Sequence, residues 1–252
     1  MDDILVVEGV RKTFEGLVAI DDVSIKVKKG LMTMLIGPNG SGKTTLINCI
    51  TGFYKPDRGL IRFSDEEITN LQPHVVCNKG LIRTFQIPQP FEKLTVLENL
   101  LTAYRDNPGE NFLKALIKKS WINEEEKATT LAFKFLKLLN IDHMWDKPAT
   151  HLSGGQMKLV EAGRAIMSGA KMILMDEPAA GIFPKLANEV FYYFTKMKKE
   201  LGVTFFIVEH RLELILPYVD YVYAMARGRI ISEGKPEEVL GDPIVIEQYL
   251  GG

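Results

Sequence analysis

Gly37-Pro38-Asn39-Gly40-Ser41-Gly42-Lys43-Thr44 satisfies the pattern G-x-x-x-x-G-K-[ST], and its flanks decide how it is read. Before it runs Leu31-Met32-Thr33-Met34-Leu35-Ile36, an apolar stretch with the character of a buried strand. After it, Thr45-Leu46-Ile47-Asn48-Cys49-Ile50 reads as a helix. Three glycines let the backbone curl so that successive N–H groups, with Pro38, Asn39, Ser41 and Thr45 completing the turn, face one concavity. The positive end of the following helix adds to the attraction for phosphate. Lys43 supplies a point charge for β- and γ-phosphates, and the Thr44 hydroxyl is placed to ligate Mg²⁺. A strand, loop and helix in this order imply a bound nucleoside triphosphate.

The chain has 252 residues, 46% hydrophobic and 25% charged, which suits one large domain or a core with a subdomain. A net charge of −1 lacks the basic excess of a dedicated nucleic-acid binder, so no nucleic-acid partner is expected. Met1-Asp2-Asp3 is acidic and no long apolar stretch follows, so neither a secretory signal nor a membrane span is expected. The expected location is the cytoplasm, with any membrane association made through partners. Cys49 and Cys77 form no CxxC, and Cys49 shares a helical face with Leu46 and Ile50, a packing role. His74, His143 and His151 have no ligand-like spacing.

Along the chain, Ile4–Val7, Val23–Val27 and Gly59–Phe63 are short strand-like runs bounded by turn residues. From about Leu94 to Ala149 the pattern turns helical. Thr95 to Leu101 opens one helix, Asn107-Pro108-Gly109 breaks the chain, and Leu131, Phe135 and Leu138 mark the apolar face of another. The last third alternates again: a strand at Lys171–Met175, a helix faced by Leu186, Val190, Phe194, Met197 and Leu201, and a strand at Val203–Val208. Strand, helix and strand at this spacing form a right-handed βαβ unit. The expected fold is α/β: a phosphate-loop NTPase core with a parallel sheet, an N-terminal antiparallel β subdomain and a helical subdomain insertion. All 252 residues form one domain, with core and β subdomain at about 1–90 and 165–252 and the helical subdomain at about 91–164.

Two further clusters carry chemistry. The strand Met172–Met175 ends in Asp176-Glu177, where one carboxylate can hold Mg²⁺ and the next can accept a proton from an attacking water. Leu152-Ser153-Gly154-Gly155-Gln156 places a serine and two glycine amides ahead of a helix expected over Met157–Met167, a second anion site. The same residues could simply form an N-cap and turn; since a single chain does not normally need two γ-phosphate sites, the simplest resolution is that this one completes the site of another subunit.

With these residues in view, the chain resembles the ATP-binding cassette family. Leu152 to Gln156 is similar to that family's signature, and the remaining motifs fall in family order. By that resemblance, Gln86 of Arg83-Thr84-Phe85-Gln86 reaches Mg²⁺ and the attacking water. His210 of Val208-Glu209-His210 contacts the γ-phosphate, and Phe14 stacks on adenine. One departure stands out: the family usually has an aspartate where Phe183 precedes Pro184, so the hydrogen bonds expected there are in doubt.

Finer wording narrows the resemblance. Gln89-Pro90-Phe91, Leu94 to Leu100, Asp176 to Gly181 and Glu233 to Val239 look like the subunits that energise branched-chain amino-acid uptake. The cassette that drives lipopolysaccharide export is the close alternative, and a soluble, non-transport cassette ATPase is more distant. The implied cofactors are ATP and Mg²⁺. The implied partners are a second ATPase subunit, identical or related, that sandwiches ATP; integral membrane permease subunits; and, indirectly, an extracytoplasmic solute-binding protein. Such a subunit sits peripherally on the inner face of the cell membrane.

Overall fold

In the computed structural model, residues 2–84, 88–105 and 115–250 are described. Two strand patterns coexist, and each selects its sheet. From Val23 to Lys28, buried and exposed residues alternate strictly along β2 (Leu17–Lys28), which pairs antiparallel with β1 (Asp3–Phe14). One face of such a sheet is covered and the other wet. By contrast, all five residues of β3 (Met32–Ile36) are buried, the pattern of a strand covered on both faces.

The phosphate loop and helix α1 (Lys43–Ile50) follow β3, and then come β4 (Arg58–Phe63), β5 (Glu66–Glu67), α2 (Pro73–Asn78) and β6 (Leu81–Arg83). Helices α3 (Val96–Leu101), α4 (Lys118–Leu138) and α5 (Gly154–Met167) lead to β7 (Met172–Asp176), α6 (Pro184–Leu201) and β8 (Thr204–Val208). The chain closes with α7 (Leu212–Ile215), β9 (Tyr221–Ala226), β10 (Arg229–Gly234), α8 (Pro236–Leu240) and α9 (Pro243–Leu250).

One sheet has the order β2-β1-β4-β5 and is antiparallel throughout; the other has the order β10-β9-β3-β8-β7-β6. In the second sheet all pairs are parallel except β9 with β10. Its register places Leu35 opposite Val208 and Val208 opposite Asp176. The carboxyl ends of β3, β8 and β7 therefore finish in one row, the place where open α/β sheets hold ligands.

The chain divides into two compact units. The first comprises 1–86, 171–180 and 197–252, and the second 87–170 and 181–196. In the first, Leu46, Ile47 and Ile50 of α1 share a core with Leu5, Val7 and Ile25 of one sheet and Leu35, Leu174 and Phe206 of the other. Side chains this fully buried contribute about 1.5–3 kcal/mol each. Cys49 belongs to that core, and burial pushes its thiol up to about 11, so it stays protonated and packs.

In the second unit, Asn99 of α3 is wholly buried and holds the preceding turn. Its Oδ1 accepts from the Phe91 N–H at 2.8 Å, and its Nδ2 donates to the carbonyls of Phe91 at 3.0 Å and Thr95 at 3.0 Å. The helix expected from Thr95 begins with Thr95 as its N-cap, in a capping box with Glu98. In α4 the buried face is Ala128, Ala132, Phe135 and Leu136, continued by the C-cap Leu139, and Leu131 and Leu138 lie only on its margin. Two alanines thus carry part of a face for which the larger residues alone gave the sequence signal. Asn107-Pro108-Gly109 lies outside the described residues. His74, His143 and His151 are exposed, and no group of three metal-ligating side chains forms among the described residues. Nor is any helix among them long and apolar enough to cross a membrane.

Candidate nucleotide site

The loop after β3 owes its shape to glycine. Gly40 and Gly42 have φ of 77° and 107°, in the region open chiefly to glycine. A Cβ on Gly42 would lie 2.5 Å from the Ala19 carbonyl oxygen, so backbone sterics and close approach both demand glycine there. Around Gly40 there is open space, and only its φ demands glycine. Gly42 is the N-cap of α1 and has no side chain to cap it, so the first turn turns bare N–H groups toward the cleft.

Lys43 is buried, and its Nζ donates to the carbonyls of Gly37 at 2.7 Å and Pro38 at 2.9 Å. The ammonium therefore also staples the loop that it serves. Burial pulls the Lys43 pKa below the usual lysine value, while the Asp176 and Glu177 carboxylates oppose the shift. Thr44 is exposed at the start of α1 and lines the cleft with Asn39, Ser41 and Thr45.

Asp176 and Glu177 reach the same cleft from the end of β7, and His210 from the end of β8. His210 Nε2 lies 3.3 Å from Glu177 Oε1. Glu177 has φ of 49°, an unusual left-handed conformation for a glutamate, and its N–H donates to the Val208 carbonyl at 2.8 Å. The cleft, of about 420 Å³, is closed at one end by Phe14, Leu17 and Val18 from the β1–β2 hairpin. Gln86 lies outside the described residues.

Donor chemistry decides what fits. A hydroxyl at Thr44 and a carboxylate at Asp176 are hard oxygen ligands too few to enclose a cation alone. Mg²⁺ favours such sites, where substrate phosphates and water complete its octahedron. A curled loop with a capless helix and a buried lysine suits the phosphates themselves. The residues present fit both ATP and Mg²⁺.

Three supporting residues escaped the sequence reading. Arg83 donates to Asn48 Oδ1 at 2.5 Å and pairs with Asp176 at 3.3 Å, fixing the carboxylate from β6. Asp57 accepts from both the N–H and the hydroxyl of Thr13 at 2.6 Å and from Lys12 Nζ at 3.1 Å. It thereby anchors the strand end that carries Phe14. Those bonds hold the Asp57 carboxyl down at about 2. Tyr54 packs edge-on against Phe14 with centroids 5.2 Å apart, and Phe14 is 37% exposed, leaving part of the ring for a flat ligand. Asp57 and Tyr54 lie far from Phe14 in sequence, and no local pattern marked them.

In the second unit, Ser153 is the N-cap of α5, which begins at Gly154 rather than at Met157. Ser153 Oγ accepts from the Gln156 N–H at 3.3 Å, and Gln156 Oε1 accepts from the Ser153 N–H at 2.9 Å. This capping box was legible as Ser-x-x-Gln, but two poor helix formers directly after the serine masked the start. Gly155 is buried, whereas Ser153 is exposed. The hydroxyl accepts one bond and retains a hydrogen that it can donate. Phe183 is 79% exposed.

Comparison with known proteins bears on the family of the whole chain. Residues 20–180 match the family model described as ABC transporter, and residues 229–252 match that described as branched-chain amino acid ATP-binding cassette transporter. A probable branched-chain amino acid transport ATP-binding protein of Methanocaldococcus jannaschii is 51% identical, over 99% of this chain and 98% of that one. A protein with the same description from Archaeoglobus fulgidus is 49% identical, over 98% of this chain and 95% of that one. Among solved structures, the ADP conformation of an ATP-binding cassette of an ABC transporter superposes with a TM-score of 0.85 at 49% identity, covering 100% of both chains. With the phosphate loop and the paired β7 and β8 ends in place and a match over nearly its full length, the chain belongs to the ABC transporter family.

Proposed function

We propose that the chain is the ATP-hydrolysing subunit that energises uptake of branched-chain amino acids through membrane partners. The observation that carries the hydrolytic reading is the row formed by the ends of β3, β8 and β7, which brings Lys43, Thr44, Asp176, Glu177 and His210 to one cleft. The transported solute is read from the names of the relatives and from the match of residues 229–252.

The phosphate loop binds the triphosphate, and Phe14 stacks on the adenine. Glu177 orients a water for in-line attack on the γ-phosphorus and takes its proton. Lys43 and His210 stabilise the charge that develops on the transferred phosphoryl group. Thr44 and Asp176 would hold Mg²⁺, with Gln86 as a further contact, and the ion neutralises phosphate charge when bound. Ser153, Gly154, Gly155 and Gln156 complete the site of a second cassette, identical or related, so that ATP joins the pair and hydrolysis releases it. The whole chain acts as one cassette, held by permease subunits on the inner membrane face. A solute-binding protein outside is its indirect partner.

The test is reconstitution of the chain with its native membrane partners in vesicles. Labelled leucine or valine should accumulate only with ATP and only with Glu177 intact. Partners that move a lipid, with no amino-acid uptake, would overturn the substrate reading.

A further inference from the structure

Glu209 takes no part in that mechanism, yet it sits between the two residues that do the chemistry. It follows the last residue of β8 and is 2% exposed. The backbone amides of Ala179, two residues after Glu177, and of the neighbouring His210 face its carboxyl and favour its charged form. One side chain thus lies against both the loop that carries the carboxylate and the segment that carries the histidine.

The arrangement is costly as mere packing. Oε1 of Glu209 is buried without a hydrogen-bond partner. An unpaired buried polar atom is destabilising, and an apolar side chain of equal volume would avoid that loss. Burial raises the carboxyl to about 7, with repulsion from Glu177 adding to the shift and the His210 and Ala179 amides opposing it. A large fraction therefore carries a proton near neutrality, which makes glutamine a close chemical stand-in.

We propose that Glu209 is a positioning residue for hydrolysis, tying the left-handed Glu177 turn to the His210 segment so that the two side chains meet. This rests on Glu177 and His210 as the hydrolytic pair. Glu177 holds a strained backbone that neighbours must enforce, and Glu209 reaches across to that turn with a side chain. Misplacing such a group by an ångström costs about 100-fold in rate with little change in substrate binding.

Steady-state phosphate release and ATP affinity of the full chain test this in Glu209→Gln and Glu209→Leu, with Glu177→Gln alongside. Glutamine keeps an acceptor oxygen for both amides; leucine fills the volume without one. Glu209→Gln should retain kcat within about threefold, and Glu209→Leu should lose about 10- to 100-fold in kcat with ATP affinity kept within about threefold. Wild-type turnover in Glu209→Leu overturns the proposal. So does a joint loss of affinity and turnover, or failure to fold, in that variant, and so does loss of kcat in Glu209→Gln equal to that in Glu209→Leu. Turnover by Glu177→Gln at the wild-type rate would instead remove the underlying reading of the pair, whatever Glu209 does.

Discussion

Two helix N-termini in this chain are rich in glycine, and they are built in opposite ways. At α1 the glycines lie ahead of the helix in left-handed conformations, and the N-cap has no side chain. At α5 the glycines are the first two helical residues, and Ser153 and Gln156 cap the end reciprocally. The first end is left unsatisfied and needs an anion. The second has its Ser153 and Gln156 N–H groups paired within the cap and offers the hydroxyl hydrogen, the Gly154 and Gly155 amides and its positive pole. On the proposed function, similar composition yields a primary phosphate site at the α1 end and a supplementary contact at the α5 end.

The contrast can be broken at four points. Glu177→Gln should show the largest effect, lowering phosphate release about 10²- to 10⁴-fold while ATP stays bound, as measured by release of labelled phosphate against ATP retained on a filter. Lys43→Ala acts earlier. Removing one charge-assisted contact should weaken ATP binding about 10- to 100-fold, as read by equilibrium titration. If affinity is unchanged, the α1 end is not the primary phosphate site.

Ser153→Ala should be milder and of a different kind. Loss of the cap costs about 1 kcal/mol of helix stability, so Tm should fall by a few degrees. ATP affinity of the isolated chain should stay within about twofold if Ser153 serves only a second cassette's nucleotide. A drop equal to that of Lys43→Ala would place both ends on one ATP and erase the contrast.

Much of this was readable beforehand where the determinants are local. The phosphate loop is specified by φ requirements and a fixed spacing of glycines, and the parallel strands by runs of buried residues. His210 stood out only through motif order, and its contact with Glu177 was not read from the sequence. Residues that act across the fold were silent: Thr13 and its anchor Asp57 are 44 residues apart, and Arg83 and Asp176 are 93 apart. Glu209 read as part of a motif because its histidine neighbour drew attention, yet its burial arises from packing that no short stretch encodes. Composition also misled at α4, where Ala128 and Ala132 are buried while larger Leu131 lies on the edge.

Asp57 offers the smallest effect. Asp57→Ala should weaken ATP binding by about two- to fivefold, because the anchored Phe14 supplies only part of a stacking contact. With its folded pKa depressed to about 2, the Asp57 contribution is full above the ordinary carboxylate value of about 4 and is lost as pH falls toward about 2. Acid titration by circular dichroism should show a wild-type transition between those values that is reduced in Asp57→Ala.

On the proposed function, one ATP is shared by two chains, the α1 end of one and the α5 end of another. This sharing is tested most directly by the rate of phosphate release as the isolated chain is diluted. Specific activity should fall with dilution and be restored by adding a second cassette. Specific activity that stays constant on dilution of the chain alone would mean that a single chain hydrolyses ATP, and would contradict it.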